Sequence, residues 1–265
     1  WKVLPESPRS LAKRRERWPE LTRTMRRIGH DIPNDVVYTE AAAAAGAAPA
    51  KSASIGTLFS PSFARDTLAL CASFFFCLMA NYVVILLLPA MLTADDVGFT
   101  QPAASRALAM SNYGGVAGAI LGALVIQRLG SRITMLGMSA GAIVCALILT
   151  GARIDPNDTL FLMVMLLLTG GLLNAVQTTM YALAAHVYPT EIRGTGVGFA
   201  VAVGRIGNVL AGYVGAYALD QGGSPGYFTS MAILMGIVFL SLAAVRRHVP
   251  KTTGGAPVRA PAGAH

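Results

Sequence analysis

The chain has 265 residues, a formal net charge of +8 and a mean hydropathy of +0.56. Apolar residues make up 54% of it and charged residues only 13%, against roughly 45–50% and about 25% in an ordinary soluble domain. A water-soluble globule of this size cannot bury that excess, so the composition excludes a soluble enzyme. The three cysteines, Cys71, Cys77 and Cys145, lie inside apolar runs, which excludes the disulfide framework of a small secreted domain.

The amino-terminal region is basic and polar. Residues 9–30 carry eight Lys and Arg around five apolar positions, a pattern typical of an amphipathic helix on the inner leaflet or of a solvated helix in a cytoplasmic loop. The Ala-rich residues 41–50 are typical of a linker. We therefore expect residues 1–66 to form a cytoplasmic loop and linker, residues 67–250 a transmembrane bundle, and residues 251–265 a cytoplasmic tail.

About 30 Å of hydrocarbon is crossed by roughly 20 helical residues. Six stretches of the sequence are long enough for this and contain no charged residue, except for Arg205 in the fifth. In chain order they are residues 67–94, 107–127, 133–152, 159–185, 194–219 and 221–245. A barrel strand would alternate apolar and polar residues over about 10 positions, whereas residues 160–173 are almost continuously apolar. The sequence therefore predicts an all-α membrane protein, a bundle of six transmembrane helices.

Lys and Arg are distributed unevenly over the loops between these spans. Eighteen lie on the side of the two chain termini and only two, Arg106 and Arg153, lie on the other side. Because cytoplasmic loops carry the excess of Lys and Arg, both termini are expected in the cytoplasm. This asymmetry accounts for most of the net charge, so no nucleic-acid partner is expected.

Arg205 lies within the fifth predicted span, about 16 Å from its inner end at 1.5 Å per residue. A lone Arg at that depth costs between about 2.5 and more than 10 kcal/mol, so it must face a partner or a water-filled cavity. Its planar guanidinium matches the geometry of a carboxylate, which makes it a candidate for substrate binding. The alternative is a structural Arg that binds helix carbonyls or a neighbouring helix.

The fourth predicted span has a polar stripe at offsets of 0, 3, 4 and 7, which places its members on one helix face: Asn174, Gln177, Thr178 and Tyr181. These side chains either bind a substrate or join two helices through hydrogen bonds. The same two alternatives apply to three candidates in the first and fifth spans: Asn81, Tyr82 and Asn208.

Small residues recur at helical spacing in two spans, a pattern that lets helix backbones approach closely. The glycines expected to pack helices in this way are Gly114, Gly118, Gly122, Gly207 and Gly215. No Asp or Glu lies within the six spans, and the sequence has no Walker loop, HExxH or CxxC motif. We therefore expect no metal, no cofactor and no enzymatic activity.

Three short segments carry recognisable motifs: residues 4–9 read LPESPR, residues 186–196 read HVYPTEIRGTG, and residues 203–207 read VGRIG. The first resembles the segment that follows the sixth helix in many transporters of the major facilitator superfamily. The other two resemble the end of the tenth helix and the start of the eleventh in that superfamily. More narrowly, residues 174–198, together with residues 66–70 and 74–77, resemble the aromatic acid:proton symporters. The chain is therefore expected to be the carboxy-terminal half of such a fold.

The resemblance implies transport by alternating access, with the substrate between two six-helix halves. It assigns Arg205 as a substrate anchor and places a cytoplasmic gate at Arg128, Gly130, Arg132, Glu191 and Arg193. Gln127 stands where the family pattern has an acid. The implied partners are a small organic anion such as hydroxybenzoate, protons, the lipid bilayer and the missing amino-terminal six-helix half, in a bacterial inner membrane.

Two other interpretations stay open. A sugar carrier or another metabolite carrier of the same superfamily shares several of these motifs. Alternatively, the chain is a truncated membrane protein that keeps the fold without transporting anything.

Overall fold

The computed structural model describes Glu16 and residues 18–27, 55–156 and 159–246. The chain divides into two compact units, residues 1–52 and 53–265. In the first unit the structure describes one long helix, α1 (Trp18–Arg27), with Leu21 buried. The motif at residues 4–9, most of the predicted linker region and the tail 251–265 lie outside the described residues, as does the rest of the basic segment around α1.

The second unit is helical throughout its regular elements, and no strand occurs in the described ranges. Its helices are α2 (Ile55–Leu58), α3 (Ala64–Leu92), α4 (Gln101–Leu129), α5 (Ser131–Gly151), α6 (Thr159–Val187) and α7 (Arg193–Ala244). Five of them, α3 to α7, are long and apolar enough to cross a membrane. The predicted all-α membrane class is confirmed.

Helix α7 is a hairpin that contains two of the predicted spans. Its 52 residues would form a straight helix about 78 Å long, more than twice the thickness of a bilayer core. At Gly223 the backbone has φ 56° and ψ −147°, a conformation that only glycine adopts without a Cβ clash. Gly226 then packs against the Ala218 carbonyl, although eight residues of straight helix would separate them by about 12 Å.

The chain reverses at Gly223 rather than at Asp220, where the sequence analysis divided the fifth span from the sixth. A charged side chain at a membrane surface does not end a helix, whereas a glycine with positive φ does. For the same reason α4 continues through Arg106 and Arg128, and its described bounds are wider than the uncharged stretch. Hereafter residues 193–222 are the first arm of α7 and residues 224–244 its second arm.

The first arm of α7 buries one face that consists entirely of small residues. They are Gly196, Ala200, Gly204, Gly207, Ala211 and Gly215. Steps of three and four residues keep them on one side of the helix, and α7 packs along α3. A Cβ built on Gly207 would overlap the Phe75 carbonyl of α3, so a larger side chain there would push the two helices apart.

Helices α4 and α6 approach equally closely. A Cβ built on Gly114 would overlap the Leu167 carbonyl, and one built on Gly118 would overlap the Gly171 carbonyl. Gly122 lies one turn further on, where an added Cβ would meet the Ala175 side chain at 3.2 Å. The three glycines therefore face α6 in turn.

We expect Gly118→Ala to destabilise the bundle by about 1–3 kcal/mol, because the added methyl must displace a helix backbone. Gly137→Ala is the matched control, since nothing lies within 4 Å of a Cβ built there and alanine is the better helix former by about 1 kcal/mol. Thermal unfolding of the purified variants in detergent measures both. Equal unfolding midpoints would contradict the close approach of α4 and α6.

Polar contacts join the start of α3, the end of α6 and the end of α7 at one end of the unit, here called the basal end. The Tyr188 hydroxyl donates to Thr67 Oγ1 at 3.1 Å, and Thr67 in turn donates to the Leu58 carbonyl at 2.9 Å. All three residues are buried. The Arg246 main-chain N–H donates to Asp66 Oδ1 at 2.8 Å, so both ends of the bundle's helical sequence meet there.

Tyr188→Phe should lower the free energy of unfolding by about 1 kcal/mol, because it removes a buried donor and leaves Thr67 Oγ1 short of a partner. Tyr213→Phe removes the same hydroxyl from a side chain that is 76% exposed and should change stability little. Chemical unfolding curves of the two variants test the difference, and a loss of the same size in both would contradict the buried chain of hydrogen bonds.

Candidate functional site

Arg205 lies on the first arm of α7, away from the face of small residues. Its neighbour Gly204 is buried against Phe74 and Leu78 of α3, whereas Arg205 itself is exposed on the surface of the chain. No described residue forms a hydrogen bond or ion pair with it. Its guanidinium donors are therefore available to a ligand, and the described contacts do not include the helix carbonyls that a structural Arg would bind.

Asn208 lies one turn beyond Arg205 on the same arm. The residue is half-buried, and its Oδ1 is buried without a hydrogen-bond partner in the described part of the chain. A buried acceptor left unpaired costs about 1–3 kcal/mol. An acceptor that lacks a protein partner thus adjoins a cation that also lacks one.

The side chains of the polar stripe on α6 contact two different neighbouring helices, α3 and α4. Gln177 accepts a hydrogen bond at Oε1 from Asn81 Nδ2 of α3, and the Tyr181 ring packs edge-on against Phe74 with centroids 5.1 Å apart. Asn174 instead lies beside Gly115 of α4. The structure therefore joins Asn81 to Gln177 directly.

The remaining polar candidates make local contacts. Asn174 Nδ2 donates to the Gly170 carbonyl of its own helix at 3.1 Å, and Thr178 Oγ1 donates to the Asn174 carbonyl at 2.8 Å. Tyr82 is half-buried against the apolar core. None of the hydrogen bonds of the described residues links these side chains to Arg205.

A double-mutant cycle tests the Asn81–Gln177 contact. We expect Asn81→Ala and Gln177→Ala to be coupled by about 0.6 kcal/mol and at most about 1.7, the range for hydrogen bonds between membrane helices. A cycle of Gln177 with the exposed Asn112 of α4 is the control and should give no coupling. Additive losses in the Asn81–Gln177 cycle would contradict the contact.

The residues of the predicted gate lie in the α4–α5 turn and at the start of α7. Gly130 has φ 81°, and its N–H donates to the Ile126 carbonyl, which closes α4 and lets α5 begin at once. Arg128 and Arg132 flank this turn and are exposed. The turn thus presents two cations at the basal end.

Glu191 and Arg193 lie at the same end. Main-chain hydrogen bonding at Glu191 and a 3.0 Å hydrogen bond from Thr190 hold the pKa of the Glu191 carboxyl below its ordinary value, so the group is ionised near neutral pH. Arg193 Nε donates to the Tyr188 carbonyl at 3.4 Å. The gate residues therefore supply exposed charges of both signs.

The basal end also contains a cleft that no sequence pattern predicted. This open cleft of about 670 Å³ is lined by Phe63, His186, Val187, Tyr188, Pro189, Arg193 and Arg246. Burial raises the pKa of the Tyr188 phenol, which keeps it neutral in the wall of the cleft. Asp66 and Arg246, which adjoin it, are 180 residues apart in sequence, so no local pattern could have brought them together.

One catalytic sequence pattern is present but lacks its structural context. Residues 137–141 read GMSAG, which matches the G-x-S-x-G of a nucleophile elbow, a turn between a strand and a helix. Here Ser139 lies in the middle of α5, is buried, and donates to the Met135 carbonyl at 2.8 Å. Among the described residues, no group of three or more His, Cys, Asp or Glu is placed to hold a metal ion.

Comparison with known proteins identifies the family. Residues 70–264 match the model of the Major Facilitator Superfamily. The chain belongs to the Major Facilitator Superfamily. It is accordingly a multi-pass membrane protein of a transporter family, and the resemblance predicted from its motifs is confirmed.

Three relatives illustrate the similarity. The chain is 28% identical over 236 residues to the gallate transporter of Pseudomonas putida, covering 88% of the chain and 50% of the relative. It is 26% identical over 231 residues to the 4-hydroxybenzoate transporter PcaK of Acinetobacter baylyi, covering 87% and 50%. It is 32% identical over 226 residues to the inner membrane metabolite transport protein YgcS of Escherichia coli, covering 83% and 46%. The chain thus spans about half the length of these relatives.

Proposed function

We propose that the chain forms the carboxy-terminal six-helix half of a secondary transporter that carries aromatic or other small organic acids together with protons. The observation that carries this proposal is Arg205, an exposed cation without a described partner and the one charged residue between Arg193 and Asp220 on the first arm of α7. Gallate and 4-hydroxybenzoate, the substrates in the names of two relatives, are carboxylates. An anionic substrate would supply the counter-charge that the described residues do not.

In this proposal Arg205 binds the substrate carboxylate through its planar fork, which suits two parallel hydrogen bonds. Asn208 contributes to the same pocket through its unpaired Oδ1, which accepts a donor such as a ring hydroxyl. The ring and its other substituents contact side chains of α3 and α6: Asn81, Tyr82, Asn174, Gln177 and Tyr181. The Asn81–Gln177 hydrogen bond fixes two of these groups before the substrate arrives.

The other half of the proposed transporter is a second six-helix bundle. Large apolar side chains are exposed on every long helix of this half, and a charged Arg205 facing lipid would be expensive. A partner bundle covering the Arg205 side would enclose a cavity with water and substrate. Proton transfer is assigned to that bundle, because the apolar spans of this chain contain no Asp or Glu.

The proposed orientation places the basal end, and both termini, in the cytoplasm of a bacterium, with the helices in the inner membrane. The gate then lies at the cytoplasmic surface, where Arg128, Arg132, Glu191 and Arg193 would pair with charges of the other half. Gly130 forms the turn that positions Arg128 and Arg132. The glycines of α4 and the first arm of α7 would keep this half rigid while it rocks against its counterpart.

Arg205→Ala, introduced into the transporter formed with the amino-terminal half, should reduce uptake of radiolabelled 4-hydroxybenzoate to background. Loss of a charge-assisted contact worth about 1.5–3 kcal/mol corresponds to roughly 10- to 100-fold weaker binding. Arg205→Lys keeps the charge but not the fork and should retain a small part of the uptake. Immunoblots of the membrane fraction verify insertion.

Arg153→Ala is the control, because it removes an exposed Arg at the end of the bundle opposite the basal end. It should leave uptake unchanged. Normal uptake by Arg205→Ala would exclude the anchor role.

A carrier of another metabolite is the second candidate, favoured by the relation to YgcS, whose name specifies only a metabolite. Competition of labelled 4-hydroxybenzoate uptake by unlabelled sugars and aliphatic acids separates the two. Reconstitution of this chain alone tests the non-transporting alternative, since uptake by the isolated half would contradict it.

A further inference from the structure

The basal cleft has the chemistry of an anion-binding site. Seven described residues line it, of which three are Arg or His and none is acidic: His186, Arg193 and Arg246 lie beside Phe63, Val187, Tyr188 and Pro189. None of these residues belongs to the substrate pocket proposed around Arg205, and only Arg193 belongs to the proposed gate. The cleft is therefore a site separate from the substrate pocket.

The contacts that fix the two Arg residues leave most of their donors unused. Arg246 is held through its main-chain N–H, which donates to Asp66 Oδ1 at 2.8 Å, and its side chain makes no hydrogen bond or ion pair with a described residue. Arg193 uses Nε for the Tyr188 carbonyl at 3.4 Å. The terminal amino groups of both guanidiniums thus remain available in the cleft.

Helix α7 adds a second source of positive potential. It begins at Arg193, and no side chain caps its first turn. The first N–H groups of a helix lack intrahelical partners, and the helix dipole favours an anion beside them. Arg193 therefore brings both its own charge and a helix N-terminus to the cleft.

Two acidic groups lie near these cations. Asp66 is buried and accepts from the Arg246 main-chain N–H, and Glu191 is exposed, accepts from Thr190 and interacts electrostatically with Arg193. The Tyr188 hydroxyl is directed to Thr67 at 3.1 Å and does not donate into the cleft. The two carboxylates offset the two guanidinium charges, so the cleft offers a ligand the terminal guanidinium N–H donors and the first N–H groups of α7.

We propose that the basal cleft binds a phosphate group at the membrane surface. Arg forks match phosphate oxygens as they match carboxylates, and the cleft lies where α3 and α7 begin and α6 ends, at the level of lipid headgroups. Basic pockets between transmembrane helices are known to hold anionic headgroups. The phosphate is presented by an anionic phospholipid or is free inorganic phosphate, and competition between the two distinguishes these sources.

The test measures binding to the purified chain and does not depend on transport. Protein in nanodiscs of phosphatidylcholine receives increasing fractions of phosphatidylglycerol, and bound lipid is counted by native mass spectrometry after release from the disc. Arg246→Gln keeps the main-chain N–H that binds Asp66, so the fold is preserved, and should weaken phosphatidylglycerol binding by about tenfold. Arg153→Gln, the matched control, should bind like the unchanged chain.

Inorganic phosphate is then added as a competitor. Retention of phosphatidylglycerol that resists added phosphate and is weakened in Arg246→Gln supports the proposal and assigns a lipid. Binding of inorganic phosphate that displaces the lipid and is lost in Arg246→Gln also supports it and assigns the free anion. Equal lipid binding by Arg246→Gln and Arg153→Gln, with no phosphate binding to the unchanged chain, would overturn the proposal. None of these outcomes changes the status of Arg205 as a substrate anchor.

Discussion

In a membrane a guanidinium must be surrounded by water, by an anion or by protein acceptors, because hydrocarbon provides neither hydrogen-bond acceptors nor a counter-charge. The first arm of α7 shows how the bundle meets this constraint. One face is reduced to Gly and Ala and lies directly against α3. This contact fixes the rotation of the arm, and the rotation in turn directs Arg205 away from α3 and leaves it unpaired by the described residues. The close packing of small residues thus positions the charge on which the proposed function depends.

The same constraint explains the rest of the bundle. Many buried polar side chains donate to a carbonyl of their own helix, as Ser139 and Thr179 do, or pair across helices, as Asn81 and Gln177 do. Among the described residues, two fully buried side-chain atoms have no hydrogen-bond partner, Asn208 Oδ1 and the hydroxyl of Tyr227. Asn208 lies one turn beyond Arg205 on the same arm, so an acceptor and a cation that both lack described partners are close in the helix.

Much of the fold was predictable, because an apolar helix in lipid needs only length and a lack of charge. The all-α class followed from that rule, and the family followed from motifs around residues 66–77 and 186–207.

Turn geometry was harder to predict. The chain reverses at Gly223 because of a positive φ, which is visible only in the folded backbone. Dividing the fifth predicted span from the sixth at Asp220 therefore placed the reversal three residues too early. Long-range pairs such as Asp66 with Arg246 have no local signature, which is why the basal cleft was missed. The polar stripe was a single face in sequence, but the packing of α6 between α3 and α4 separates Asn174 from Gln177.

The central claim is that Arg205 faces an aqueous cavity that holds the substrate. It is tested most directly by replacing Cys71, Cys77 and Cys145 with alanine in the transporter formed with the amino-terminal half and comparing Arg205→Cys with Ala211→Cys. Ala211 is the matched control, because it is buried on the face of small residues of the same arm. The rate of labelling by a charged, membrane-impermeant thiol reagent is measured for both variants. The account predicts fast labelling after Arg205→Cys and slow labelling after Ala211→Cys. Labelling of both at the same slow rate would contradict the account.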